Sequence, residues 1–210
     1  NFYTMKKVTQ FLVFSSLFVS MLLAHVSTSA QNIKPDADNA GLTLPKGFAA
    51  LKVADNLGRT RHIVVNKQGA IYAKLERLDN GKGILVLKDT DGDGRAETKT
   101  SFGSYTGTGI AIKGNFLYAA SNKEVFKYAL NDNGDVVDEN AAATIVTGLV
   151  DKGQHNSKSI TLDNAGNIYV NVGAPSNSCQ EKDRTKGSMG MMPCPILDSA
   201  GGIWQFKVDQ

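Results

Sequence analysis

One local pattern recurs three times along the chain: a short apolar strand, a turn built on Gly or Asn, and a second strand that carries an aromatic residue. The pattern runs through His62-Ile63-Val64-Val65-Asn66-Lys67-Gln68-Gly69-Ala70-Ile71-Tyr72, then Gly109 to Tyr118, then Ser159 to Tyr169. Its tyrosines, Tyr72, Tyr118 and Tyr169, lie 46 and 51 residues apart, within the repeat range of propeller blades made of four antiparallel strands. A third strand with alternating apolar residues follows each pair: Gly83 to Lys88, Glu124 to Leu130, and Gly202 to Val208. Turns rich in Asp, Asn and Gly then open a fourth strand, at Asp89 to Gly94 and at Asn131 to Gly134. No sustained helical period competes with this reading, so the fold class is all-β and the architecture a β-propeller. A closed propeller needs roughly four to eight blades. About three are expected here, with residues 31–210 a partial propeller domain that lacks the rest of its ring.

The repeat begins only after an N-terminal segment of a different kind. Met5, Lys6 and Lys7 lead into an apolar run from Phe11 to Ala24 and then the small residues Ser27-Thr28-Ser29-Ala30. This order is that of a secretory signal peptide over residues 5–30, with cleavage expected after Ala30. The apolar run is about 14 residues, shorter than the roughly 20 of a membrane-spanning helix, so the mature chain is expected to have no stable membrane span. An exported protein, periplasmic or extracellular, follows. The full chain has a formal charge of +3, and loss of the two leader lysines brings it to +1. No basic stripe is left for nucleic acid or an anionic membrane surface. Cys179 and Cys194, 15 residues apart in an exported chain, are expected to form a disulfide.

Strand alternation assigns the unusual residues to faces. In a blade, the loop leading into the first strand and the loop from second to third strand emerge together, because antiparallel strands alternate direction. His155 lies in the loop leading into the third unit. The second-to-third loop of that unit, Gly173 to Gly201, is far longer than its counterparts near residues 75–83 and 119–123, and loops of that length usually have a job. Both open on one face, where Gln154, Arg61 and Lys158 are candidates to meet a substrate or cofactor. A histidine there can accept a proton from a hydroxyl, although from position alone His155 is equally read as a turn histidine. His62 is read as a structural hydrogen-bonding residue. On the opposite face, Asp89-Thr90-Asp91-Gly92-Asp93-Gly94 matches the first half of a calcium loop, but Thr100 stands where an EF-hand has its Glu. Asp89, Asp91 and Asp93, assisted by Glu97, could hold Ca²⁺. A polar turn is the preferred alternative.

The stretch Gly153-Gln154-His155-Asn156-Ser157-Lys158-Ser159-Ile160, followed by Asp163-Asn164-Ala165-Gly166-Asn167-Ile168-Tyr169-Val170-Asn171-Val172-Gly173, resembles the soluble pyrroloquinoline quinone (PQQ) dependent sugar dehydrogenases. Within them it is most similar to the sorbosone and pyranose dehydrogenase branch. The loop residues Ser176 to Arg184, Pro193-Cys194-Pro195 and Gly201-Gly202-Ile203-Trp204 extend the likeness. The resemblance implies a six-bladed propeller that binds PQQ and Ca²⁺, a sugar substrate, an external electron acceptor, and His155 as the base that takes the hydroxyl proton while hydride passes to the quinone. It also implies that most cofactor and calcium ligands come from later blades, so that residues 31–210 alone are expected to be inactive. Lys158 stands where many relatives have arginine.

Two other functions remain open at this stage. One is a non-catalytic propeller that binds carbohydrate or protein, the other a calcium-dependent propeller lactonase using residues such as Asn66, Asn156 and Asn171.

Overall fold

The computed structural model describes residues 33–208. The leader at 5–30, its cleavage point and the turn expected near Asp209 lie outside the described residues. Eleven strands among the described residues form three antiparallel sheets. The first is β1 (Thr60–Val65), β2 (Ile71–Asp79), β3 (Lys82–Lys88) and β4 (Thr98–Phe102), paired in that order. The second repeats it with β5 (Ile110–Lys113), β6 (Phe116–Ala120), β7 (Val125–Ala129) and β8 (Ala143–Val146). The third holds β9 (Ile160–Leu162), β10 (Asn167–Val172) and β11 (Gly202–Lys207), with β10 in the middle. Apart from these there are two 3₁₀ turns, Asn39–Gly41 and Pro195–Asp198. The all-β blade repeat expected from the sequence is what the chain adopts.

The first and third units share their turn chemistry atom for atom. The Asn66 side-chain oxygen accepts from the N–H groups of Gln68 and Ala70 at 3.0 and 2.8 Å, and Asp163 Oδ1 accepts from Ala165 and Asn167 at 2.8 and 2.9 Å. Asn and Asp favour such turns because a short acceptor reaches its own backbone two residues on. With the turn fixed, register follows: Val64 faces Tyr72 and Thr161 faces Tyr169. The second unit closes on Gly114-Asn115 instead, and Ala111 faces Tyr118.

Alternation then sends the three tyrosines to one side of their sheets. Tyr72 enters the core between the first and second sheets with Phe102, Leu117 and Tyr128. Tyr118 enters the core between the second and third with Ile160, Ile168 and Val170. Tyr169 points to the other face from Ile168 and Val170, since successive residues of a strand face opposite ways. The sheets are also stitched by hydrogen bonds: Tyr72 Oη and Asn66 Nδ2 both donate to the Gly134 carbonyl in the turn of the second sheet, at 2.5 and 3.0 Å. The first strands of the three sheets are neighbours in the order β1, β5, β9.

The hairpin from β2 to β3 differs from its expected extent. Instead of a loop near 75–83, β2 runs on to Asp79, and a two-residue turn, Asn80-Gly81, with φ of 49° and 78°, leads into β3. Asn-Gly is the pairing that tolerates positive φ at both positions, and it makes the tight hairpin. Inside this sheet Lys74 is fully buried. Its ammonium donates to the carbonyls of Tyr105 (2.6 Å) and Gly83 (3.3 Å) and lies 4.1 Å above the Tyr105 ring. Burial pulls its pKa down to about 7.

Candidate functional site

The loop leading into β9 and the long loop after β10 meet, as strand alternation requires. Gly173 packs so closely on His155 that a Cβ there would sit 2.5 Å from both the Cβ and the carbonyl oxygen of His155, which is why only glycine fits. The long loop is a folded element: Cys179 and Cys194 are joined by a disulfide, Met191 N–H donates to the Cys179 carbonyl at 2.9 Å, and Gln180 bridges to Gly190. The expected pairing of the cysteines holds.

Beside these loops lies a cleft of about 580 Å³, within the range that takes a small ligand. Arg61, His155, Asn156, Ser157, Asn171 and Ser176 line it, with Gly173 and Ala174. His155 is exposed, sits at a φ of 47°, and among the described residues its ring makes no hydrogen bond. An imidazole in that state can take or give a proton at either nitrogen. Left-handed backbone is uncommon for a residue with a side chain, though His, Asn and Asp tolerate it best. Arg61 approaches Glu76 at 3.9 Å and Arg59 approaches the same carboxylate at 3.7 Å. Two guanidinium groups share one acid, so this rim keeps net positive charge. Ser176 Oγ is buried with no hydrogen-bond partner, which is the condition of a group that a ligand or water would satisfy.

Arg61 and His155 come from the first and third sheets, separated by the second, and the structure brings them to one cleft. Gln154 and Lys158 face elsewhere. The Gln154 amide donates to Asp183 Oδ2 at 2.6 Å and accepts from Arg184 Nε at 3.0 Å. That donation is also the main reason the Asp183 pKa is lowered. Lys158 is fully buried, and its ammonium donates to the carbonyls of Val150, at 2.8 Å, and Asn156. Its pKa is lowered by burial, opposed by the nearby Asp151. The sequence reading placed both side chains at the open face from their position near His155, yet partners in the surrounding loops claim them. His62 Nδ1 lies 3.0 Å from the Thr108 carbonyl, at the start of the second unit.

Asn156 and Asn171 share the cleft, whereas Asn66 is buried in the turn of the first sheet. Asn171 was legible in β10, standing exposed between buried Val170 and Val172. Ser157 and Ser176 carried no sequence signal.

The acidic loop between β3 and β4 does gather its carboxylates. Ligand oxygens of Asp89, Asp91, Asp93 and Glu97 lie within 4.8 Å of one another. Each also ties its own turn: Asp89 accepts from Gly92 and Gly94, Asp91 from Asp93, Asp93 from Arg95, and Glu97 from the N–H and hydroxyl of Thr90.

Comparison with known proteins now adds to this geometry. A family model described as TrAA12-like matches residues 42–192. A calcium structure of a Trichoderma reesei carbohydrate-active enzyme of family AA12 is similar with a TM-score of 0.57 at 20% identity, over 74% of this chain and 37% of that one. The holo form of the pyranose dehydrogenase PQQ domain from Coprinopsis cinerea is similar with a TM-score of 0.61 at 18% identity, over 80% of this chain and 38% of that one. At these identities the likeness shows the propeller fold. The chain spans less than two-fifths of the length of either structure. No curated protein matches the sequence.

Proposed function

Because this chain belongs to the TrAA12-like family, whose model matches residues 42–192, we propose that it is part of an exported, PQQ-dependent oxidoreductase acting on a sugar or sugar aldehyde. His155 is its general base. The observation that carries the reading is an exposed imidazole without a hydrogen-bond partner among the described residues, standing in a cleft with Arg61, two amides and the orphaned hydroxyl of Ser176.

The cleft suits such a ligand on its donor chemistry. A guanidinium recognises a carboxylate of the cofactor, while the amides of Asn156 and Asn171 and the hydroxyl of Ser176 serve the hydroxyl and carbonyl oxygens of sugar or quinone. The quinone, when bound, supplies the two-electron acceptor to which the sugar carbon gives its hydride. His155 accepts the proton of the hydroxyl on that carbon at an imidazole nitrogen, leaving electron density that favours hydride departure. It then returns the proton to solvent, on the exposed side of its ring.

Among the described residues no carboxylate lines the cleft, but Asn156 and Asn171 offer amide oxygens there. Ca²⁺ takes carboxylate, amide, backbone carbonyl and water oxygens, so in this reading the ion draws most of its ligands from other blades. Further groups for cofactor and ion belong to the length that the solved structures have beyond this chain, so residues 31–210 alone are expected to show no sugar oxidation with added PQQ. Reoxidation needs an external electron acceptor. Export rests on the leader reading and agrees with the disulfide. No helix among the described residues is long and apolar enough to cross a membrane.

The test is dye-linked sugar oxidation by the full-length protein loaded with PQQ. Loss of a general base costs about 10²- to 10⁴-fold in rate, and His155→Asn should show a loss of that order while keeping the left-handed backbone that His155 adopts. Near wild-type turnover in His155→Asn would sink the assignment. Sugar binding with no dye reduction by the wild type would favour a non-catalytic carbohydrate-binding propeller.

A further inference from the structure

We propose that Gln154, Asp183 and Arg184 form a positioning clamp through which the disulfide-bonded loop holds His155 at the cleft. This rests on the reading of His155 as the base. The residue to be held is one that would not stay by itself: His155 is exposed, its ring has no hydrogen bond among the described residues, and its backbone is left-handed. Such a conformation persists only when the surroundings over-determine it.

Three contacts supply that constraint. Before His155, both ends of the Gln154 amide are taken, by Asp183 Oδ2 at 2.6 Å and Arg184 Nε at 3.0 Å. After it, Asn156 donates to Asp151 Oδ1 at 3.1 Å and its carbonyl is held by the buried Lys158. Alongside it, Gly173 leaves no room for even a methyl group. Asp183 is in turn fixed by the Asn177 N–H at 3.1 Å and Arg184 by the N–H bond it gives to Gln180, at 3.0 Å. Gln180, Asp183 and Arg184 lie within the ring that the Cys179–Cys194 bond closes, and Asn177 stands two residues before it. Nothing in the clamp needs to touch the substrate. It acts by keeping the imidazole where the proton is.

Two kinds of measurement test this. In the PQQ-loaded full-length protein, Gln154→Ala and Asp183→Asn should lower kcat by about 10- to 10²-fold, the cost of a displacement of order 1 Å at a reacting group, with little change in KM. Asp183→Glu should recover part of the loss. In this chain without cofactor, the His155 imidazole should give one sharp set of NMR signals, assigned by comparison with His155→Asn, and those signals should broaden or split in Gln154→Ala and Asp183→Asn. Arg184→Ala, which leaves the Asp183 contact in place, should act in the same direction more weakly and serves if the other variants fail to fold. Imidazole signals unchanged in all folded variants overturn the clamp, whatever the turnover. Loss of activity in His155→Asn together with wild-type kcat in the clamp variants overturns it also. Full activity in His155→Asn would overturn the base reading instead, and the NMR comparison would still decide the clamp.

Discussion

Lys74 shows what a single residue can cost and contribute. It is fully buried, and its charge is compensated by two carbonyls and an aromatic face. Desolvation disfavours the ammonium, so the folded pKa, about 7, lies below the ordinary lysine value of 10.5. In the unfolded chain the proton stays on up to about pH 10.4. Between about pH 7 and 10 the unfolded state therefore binds more protons, and stability should rise with pH, by on the order of a few kcal/mol from this group. Below about pH 7 both states are protonated and the contribution is flat. Denaturant unfolding of wild type and Lys74→Met across this range checks it: the methionine variant should lose the rise, and parallel curves would refute the assignment. Neither Lys74 nor Lys158 was legible as a buried residue, because lysine is rarely fully buried and each is compensated by backbone carbonyls that only the folded chain turns toward it. The contacts of Gln154 were hidden in the same way. Its partners lie 29 and 30 positions away in a loop with no regular period.

At the level of elements, hairpins were the most legible part of this chain because their code is local. Asn66 to Ala70 and Asp163 to Asn167 each announce a turn through one acceptor side chain followed by glycine, and strand alternation does the rest. The tight Asn80-Gly81 turn was equally local, but the apolar run from Gly83 drew the strand boundary too late and hid it. Two predictions belong here. Asn66→Ala removes an acceptor for two N–H groups, one buried and one partly buried, and a buried donor to Gly134. It should cost about 1–3 kcal/mol, measurable by denaturant unfolding, and an unchanged midpoint would contradict the stitch between the first two sheets. Gly83 is the place where β3 passes the loop after β4, and a Cβ there would lie 1.9 Å from the Tyr105 carbonyl oxygen. Gly83→Ala must move backbone and should destabilise by about 3 kcal/mol or more. A Tm equal to wild type would mean that the Tyr105 loop is free to yield.

For the whole molecule, the sequence revealed how many sheets there are and in what order, but not which side chains converge between them, since that depends on how loops of different sheets lean on one another. The long loop is the clearest case. Its disulfide closes a short ring, so its loss should be felt locally: hydrogen exchange after reduction should speed up across 174–201 and leave β2, β3, β6 and β7 protected. Uniform loss of protection would show that the loop supports the sheets themselves. The separation of Arg61 and His155 has a different origin. One residue hangs on the first sheet and the other on the third, so the second sheet, with the packed layer on each of its faces, is the jaw gap of a caliper. Side chains far from any ligand, such as Leu117 on one face and Val125 on the other, set the span of that gap. A change of ligand size could therefore be reached by thinning or thickening a hydrophobic layer, with every residue in the cleft left as it is.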